Sequence, residues 1–202
     1  MDQPSLMRAL AAAARTVAEP GAGEDALDLA LAGLAEATGI SASFALEQEL
    51  QVRWPACDVD AELRSAFESH LKETKGQIDR LERVFESLGE KAQGKHCDGI
   101  AGIIEEGSAV MDEDFDDATM NACLIASGQR AEHYEMAAYG TLVAWARVLG
   151  LDDAADLLQQ TLDEEKAADK KLSSLAEGGI NEDAVGSPKT SGARARTARA
   201  RS

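Results

Sequence analysis

Three glutamates and one histidine stand at positions where an apolar side chain is expected. In a helix, residues i, i+3, i+4 and i+7 share a face. Over residues 117–149, Ile125, Gly128, Tyr139, Val143 and Ala146 mark an inner face, and Glu132 and Glu135 fall in its middle. Over 153–177, Ala154, Leu158, Leu162, Leu172 and Ala176 mark another. Glu165 sits at its centre, Asp169 lies beside it one turn on, and Glu164 is at its edge. Over 61–88, the stripe of Leu63, Phe67, Leu71, Ile78, Leu81 and Phe85 contains His70. Glu73 and Gln77 run along its border on the same side.

An ionised carboxylate in an apolar interior is costly unless it is paired or bound to a metal. Several inward carboxylates and one imidazole, drawn from three helices, point to a shared cation. That donor set suits iron or manganese better than zinc. Helix bundles build two-metal sites this way, with glutamates projecting inward from facing helices. A plainer reading competes residue by residue, since one Glu near an apolar stripe usually snorkels or pairs with a base. Glu73 or Asp169 taken alone fits that plainer reading. Glu132, Glu135, Glu165 and His70 taken together favour metal.

Other chemistry-bearing residues give weaker signals. Glu105 and Glu106 turn away from the Ile100/Ile104 stripe and read as solvent-facing. Cys97 beside His96 reads as a buried structural cysteine rather than half of a ligand pair, and His133 as a surface or interface residue. Tyr134 and Tyr139 read as packing residues, with Tyr139 one turn from Glu135 and within reach of a hydrogen bond to it. There is no glycine-rich phosphate loop and no GxSxG. The three cysteines show no CxxC spacing, which argues against a disulfide framework and a cysteine zinc site and fits a reducing cytoplasm.

The elements that position the stripes are helices. Residues 61–88 form a long one, Asp98 to Met111 a shorter one, and 117–149 a second long one. A last helix, capped by Asp152, runs to Glu177 and stops at Gly178-Gly179. Short loops favour antiparallel packing of neighbours. Aromatic residues are 4% of the 202-residue chain, so the core is built from Leu, Ala, Ile and Val, which suits helix-on-helix packing. Upstream, 5–18 and 24–37 read as short helices. Residues 42–54 alternate with the parity of a strand or hairpin, ended by Pro55. The domains expected are an atypical segment 1–58, a bundle 59–178 and a disordered basic tail 179–202.

The formal net charge of −17 opposes nucleic acid and anionic membranes. Residues 188–202 carry five basic side chains and no acid, which leaves −22 on residues 1–187. The tail is the sole nucleic-acid candidate, and a solubilising end is the preferred reading. No apolar run approaches the ~18 residues of a membrane span.

Several blocks carry a resemblance. ELRSAFESHLKETKGQIDRLERVFESLGEK, GKHCDGIAGIIEEG, ACLIASGQRAEHYEMAAYGTLVAWARVLG and AADLLQQTLDEEKAADKKLSSLA resemble the YciE/YciF-type ferritin-like proteins of bacteria. EHYEMAAYG and TLDEEKAADKKL are the most specific. The resemblance implies a mainly α, ferritin-like up-down bundle, a homodimer, a link to stress responses and a di-iron or di-manganese centre. It implicates His70 and Glu73 in HLKET, Glu132 and Glu135 in EHYE, and Glu165 in DEEK. The family's acidic first-helix motif, D-x-Y-x-A-E-K-Q-L, has its nearest echo in ALEQEL, which would make Glu47 or Glu49 a further ligand. Residues 8–54 instead resemble the opening of a GAF domain, cut short. The function expected is iron or peroxide handling under stress by a ferroxidase-type oxidoreductase. The alternative is a non-enzymatic structural or interaction protein with a degenerate metal site.

Overall fold

A computed structural model describes residues 58–92, 94 and 96–186. Helices α1 (Ala61–Ser87), α2 (Asp98–Met111), α3 (Asp117–Val148) and α4 (Asp152–Leu175) follow one another. A π-helical turn (Ala176–Ile180) then leads into a short helix α5 (Asn181–Gly186). No strand occurs among the described residues. The two upstream helices, the strand or hairpin over 42–54, Glu47, Glu49 and the tail beyond 186 lie outside them.

Local chemistry sets the helix ends. Asp60 caps α1 by accepting from the backbone N–H groups of Glu62 (2.9 Å) and Leu63 (3.0 Å). Asp116 caps α3 through the N–H of Thr119 at 3.0 Å. Gly89 and Gly150 follow α1 and α3 with φ of 72° and 71°, a left-handed turn that glycine makes at no steric cost. Asp152 does not cap α4. It is the first helical residue, its carboxylate is held by Arg147 at 3.1 Å, and Leu151 occupies the cap position without a side-chain bond. Gly178-Gly179 does not end the helical stretch either. The backbone kinks at Gly179 (φ 139°) and resumes as α5, so helix extends into the stretch expected to be disordered. Both α5 and the π turn rest against α3.

Three long helices form the body. α4 runs antiparallel to α1, with Arg80 meeting Glu164, and antiparallel to α3, with Gln129 meeting Ser173. α1 and α3 consequently run parallel, tied by the Asp60 N–H donating to the Asn121 side chain at 3.2 Å. α2 lies along α3.

The core falls into two apolar ends. One holds Val59, Leu63, Phe67, Ile100, Leu124, Ile125 and Leu172; the other holds Leu81, Val84, Phe85, Leu142, Ala146, Ala155 and Leu158. Each large buried aliphatic or aromatic side chain stabilises by about 1.5–3 kcal/mol. Between the two ends every long helix turns polar at the same level. His70, Thr74 and Gln77 come from α1, Glu132 and Glu135 from α3, and Thr161 and Glu165 from α4, all buried. This waist costs stability, and the apolar ends hold it in place.

Candidate metal centre

His70, Glu132, Glu135 and Glu165 converge at the waist. One donor atom from each lies within 4.8 Å of all the others. His70 Nε2 is 3.3 Å from Glu132 Oε1 and 3.5 Å from Glu165 Oε2. Glu132 and Glu135 share one face of α3 because they are three residues apart. His70 reaches them from α1 and Glu165 from α4.

Glu165 has no accessible surface, and neither of its oxygens accepts a hydrogen bond; Glu132 Oε2 is buried and unpartnered as well. Buried polar atoms without partners carry a desolvation penalty of about 1–3 kcal/mol each, more when charged. Three carboxylates against one imidazole stay net negative even when the imidazole is protonated. Among the described residues no Lys or Arg forms an ion pair with Glu132 or Glu165. A hard or borderline cation satisfies the orphaned oxygens and the excess charge together, and one nitrogen with several carboxylate oxygens is a donor set for iron or manganese.

The electrostatics agree with this geometry. Burial pushes the Glu132 carboxyl well above the usual carboxylate range. The His70 charge opposes that shift, and the neighbouring Glu165 and Glu135 add to it. Tyr139, one turn beyond Glu135, is pushed well up by burial and then by Glu135 and Glu165. It packs in the apolar end next to the waist, as its place on the stripe implied.

Glu73 stands apart from the quartet. It sits three residues after His70 on the exposed side of α1, with a side chain 47% accessible, and its Oε2 lies 3.5 Å from His70 Nδ1. That contact holds its carboxyl below the usual range against the opposing effect of burial. A carboxylate on Nδ1 favours the tautomer that turns the Nε2 lone pair toward Glu132 and Glu165.

Asp169 is also outside. Gln129 donates to it at 3.0 Å and His133 Nε2 lies 3.2 Å away, which draws it to the outer α3–α4 seam. Glu164, at the stripe's edge, takes both terminal nitrogens of Arg80 at 2.7 and 2.9 Å. Arg80 also donates to Thr161 at 2.6 Å, and Gln77 donates to Glu164 at 3.3 Å. Sequence reading missed Thr74, Thr161 and Arg80. Thr74 and Thr161 lie one turn from His70 and Glu165, so helical spacing from the quartet would have found them.

Other expectations resolve simply. Glu105 and Glu106 are exposed. His133 is exposed, as is His96, which pairs with Asp98. Cys97 is half-buried rather than buried, its Sγ 2.9 Å from the Tyr134 hydroxyl. No described helix is long and apolar enough to cross a membrane.

The chain has relatives among known proteins. Residues 43–185 match the family described as a domain of unknown function, DUF892. The match starts upstream of the boundary at 59 drawn from the sequence. The chain is 45% identical to Protein YciF of Escherichia coli (strain K12) over 123 residues, 60% of this chain and 74% of that one. The crystal structure of the E. coli stress protein YciF superposes with a TM-score of 0.71 at 37% identity, covering 78% of this chain and 98% of that one. YcfI of Rhodopseudomonas palustris, for which a structural role is suggested, superposes with a TM-score of 0.68 at 38% identity, covering 73% and 92%.

Proposed function

The chain belongs to the DUF892 family, as a relative of YciF, and on that premise we propose that it binds iron or manganese at the waist of its bundle and handles iron or peroxide under stress. The observation that carries this reading is Glu165, fully buried beside the Glu132 carboxyl with no Lys or Arg partner among the described residues and with His70 3.5 Å away. His70, Glu132, Glu135 and Glu165 would hold the metal. Carboxylates have two oxygens each and can bridge, so the same residues serve a pair of ions, and Glu47 or Glu49 remains the proposed further ligand. A bound pair would supply one-electron redox chemistry of the ferroxidase type. The chain's own residues supply carboxylate oxygens at the waist, orient the His70 ring through Glu73, and flank the site with Tyr139 and the apolar ends.

Elemental analysis of chain purified without chelator, then loaded with Fe(II) in the absence of oxygen, tests the reading. About two ions per chain is the expected result. Metal far below one per chain overturns it. One observation favours a second reading: the structural role suggested for the R. palustris neighbour, which fits a stress-associated structural protein whose site is degenerate. Metal content separates the two.

A further inference from the structure

A groove of about 550 Å³ opens between the first half of α1 and the second half of α4. Small residues form much of its walls, Ser65, Ala66 and Ser69 on α1 and Ala167 and Ala168 on α4, with Phe67 and Leu172 beside them. Ser65, Ser69 and Ala167 are exposed, so the groove is open to water. At its floor it meets His70 and Glu132. Glu132 is 4% exposed, and its Oε2 has no partner. The rim carries Glu62, Glu73 and Lys171.

We propose that this groove is the path by which a hydrated divalent cation reaches the waist, with the unpartnered Glu132 Oε2 as its first buried ligand. The inference rests on the metal-binding reading above and goes on to assign the route. The volume holds well over one water, each occupying about 30 Å³, so a partly hydrated ion fits. Ser65 and Ser69 place hydroxyls on the exposed wall, where they can stand in for water ligands. The −22 carried by residues 1–187 draws cations toward the surface. At the rim, two carboxylates against one ammonium keep the mouth negative. Glu73 links the two environments, about half exposed yet 3.5 Å from the His70 ring.

The test is the rate of metal uptake by the full-length apo-protein, measured separately from its final metal content. Mn(II) is mixed with protein, and loss of the free-ion electron paramagnetic resonance signal is followed; Fe(II) is used in the same way without oxygen, with a colorimetric chelator as reporter. Ser69→Trp and Ala168→Trp put an indole into the groove. Each should slow uptake at least tenfold and leave the final stoichiometry unchanged. Ala109→Trp, at an exposed position on α2, should match wild type. Glu62→Lys alters only an exposed rim charge and keeps the fold testable if an indole is not tolerated. It should slow uptake severalfold, with a weaker dependence on ionic strength. Wild-type rates in both the Trp variants and Glu62→Lys overturn the route while the metal-binding reading stands. A wild-type chain that takes up no ion at equilibrium overturns that reading and the route together.

Discussion

Glu164 and Glu165 are neighbours in sequence and are treated oppositely by the fold. Glu164 receives both terminal nitrogens of Arg80, at 2.7 and 2.9 Å. Glu165 is fully buried and accepts no hydrogen bond from any protein donor. The ~100° between consecutive helical residues turns one carboxylate to the α1 seam and the other into the waist. Arg80 is thereby occupied, and it forms no ion pair with Glu165.

This difference predicts opposite consequences for two isosteric changes. Glu164→Gln takes the charge from a partly buried pair and should cost about 1–2 kcal/mol, between surface and buried values. It should leave metal content unchanged. Glu165→Gln takes away a fully buried carboxyl crowded against Glu132, so the apo-protein should melt no lower than wild type while metal content falls severalfold. Thermal melting with and without chelator, beside elemental analysis, reads both. Equal metal loss in the two variants would show that the waist does not distinguish them.

The quartet was legible because helical periodicity converts a buried polar side chain into a visible error in a stripe. Glu132, Glu135, Glu165 and His70 all stand out that way. Glu73 and Asp169 do not join them, because a helical wheel resolves angle but not which partner a flexible carboxylate selects. His70 Nδ1 holds one, and Gln129 with His133 holds the other. Arg80 escaped notice because its role is set by Glu164 on another helix. Gly178-Gly179 misled for a related reason: glycine permits a stop, and here the chain uses its positive φ for a kink that seats α5 against α3.

Gly128 should be sensitive to the smallest substitution. A Cβ there would lie 3.1 Å from both Leu172 Cδ1 and Phe67 Cε1. Alanine gains up to about 1 kcal/mol of helix propensity, against about 1–3 kcal/mol for overpacking a filled core. The net expectation for Gly128→Ala is a loss, with the melting temperature falling by about 2–4 °C for each kcal/mol. A higher melting temperature would mean that Phe67 and Leu172 yield without cost.

The pH dependence of the apo-protein follows from Glu132, whose carboxyl is raised above its ordinary value chiefly by burial. The folded state therefore holds this proton to higher pH than the unfolded chain does. Stability from this group is full below the unfolded value of 4.5 and is lost as pH rises toward the folded one. Glu132→Gln removes that dependence. Variant and wild type should melt alike near pH 4, and the variant should melt higher at pH 8. A gap that closes as pH rises would reverse the sign and remove the desolvated carboxylate from the account.

The pair Glu132 and Glu135 gives the sharpest test of what the waist is for. Replacing both with Gln keeps their size and removes two negative charges from the centre. If they are ligands, metal content should collapse, and with it any Fe(II)-dependent consumption of oxygen. The apo-protein should hold its stability or gain some, because carboxylates buried beside Glu165 no longer repel one another. If they instead serve as partners of the His70 imidazolium, the double variant removes two of its carboxylates, leaves Glu165 and Glu73 at 3.5 Å, and should lower the stability of the apo-protein. Metal loading would then be unaffected. The 3.3 Å contact from His70 to Glu132 fits either role, but the imidazole leaves Glu132 Oε2 and Glu165 Oε1 without a hydrogen bond. Measuring metal content and melting on one preparation, with and without chelator, distinguishes them. Lower apo stability with intact loading would take Glu132 and Glu135 out of the ligand set.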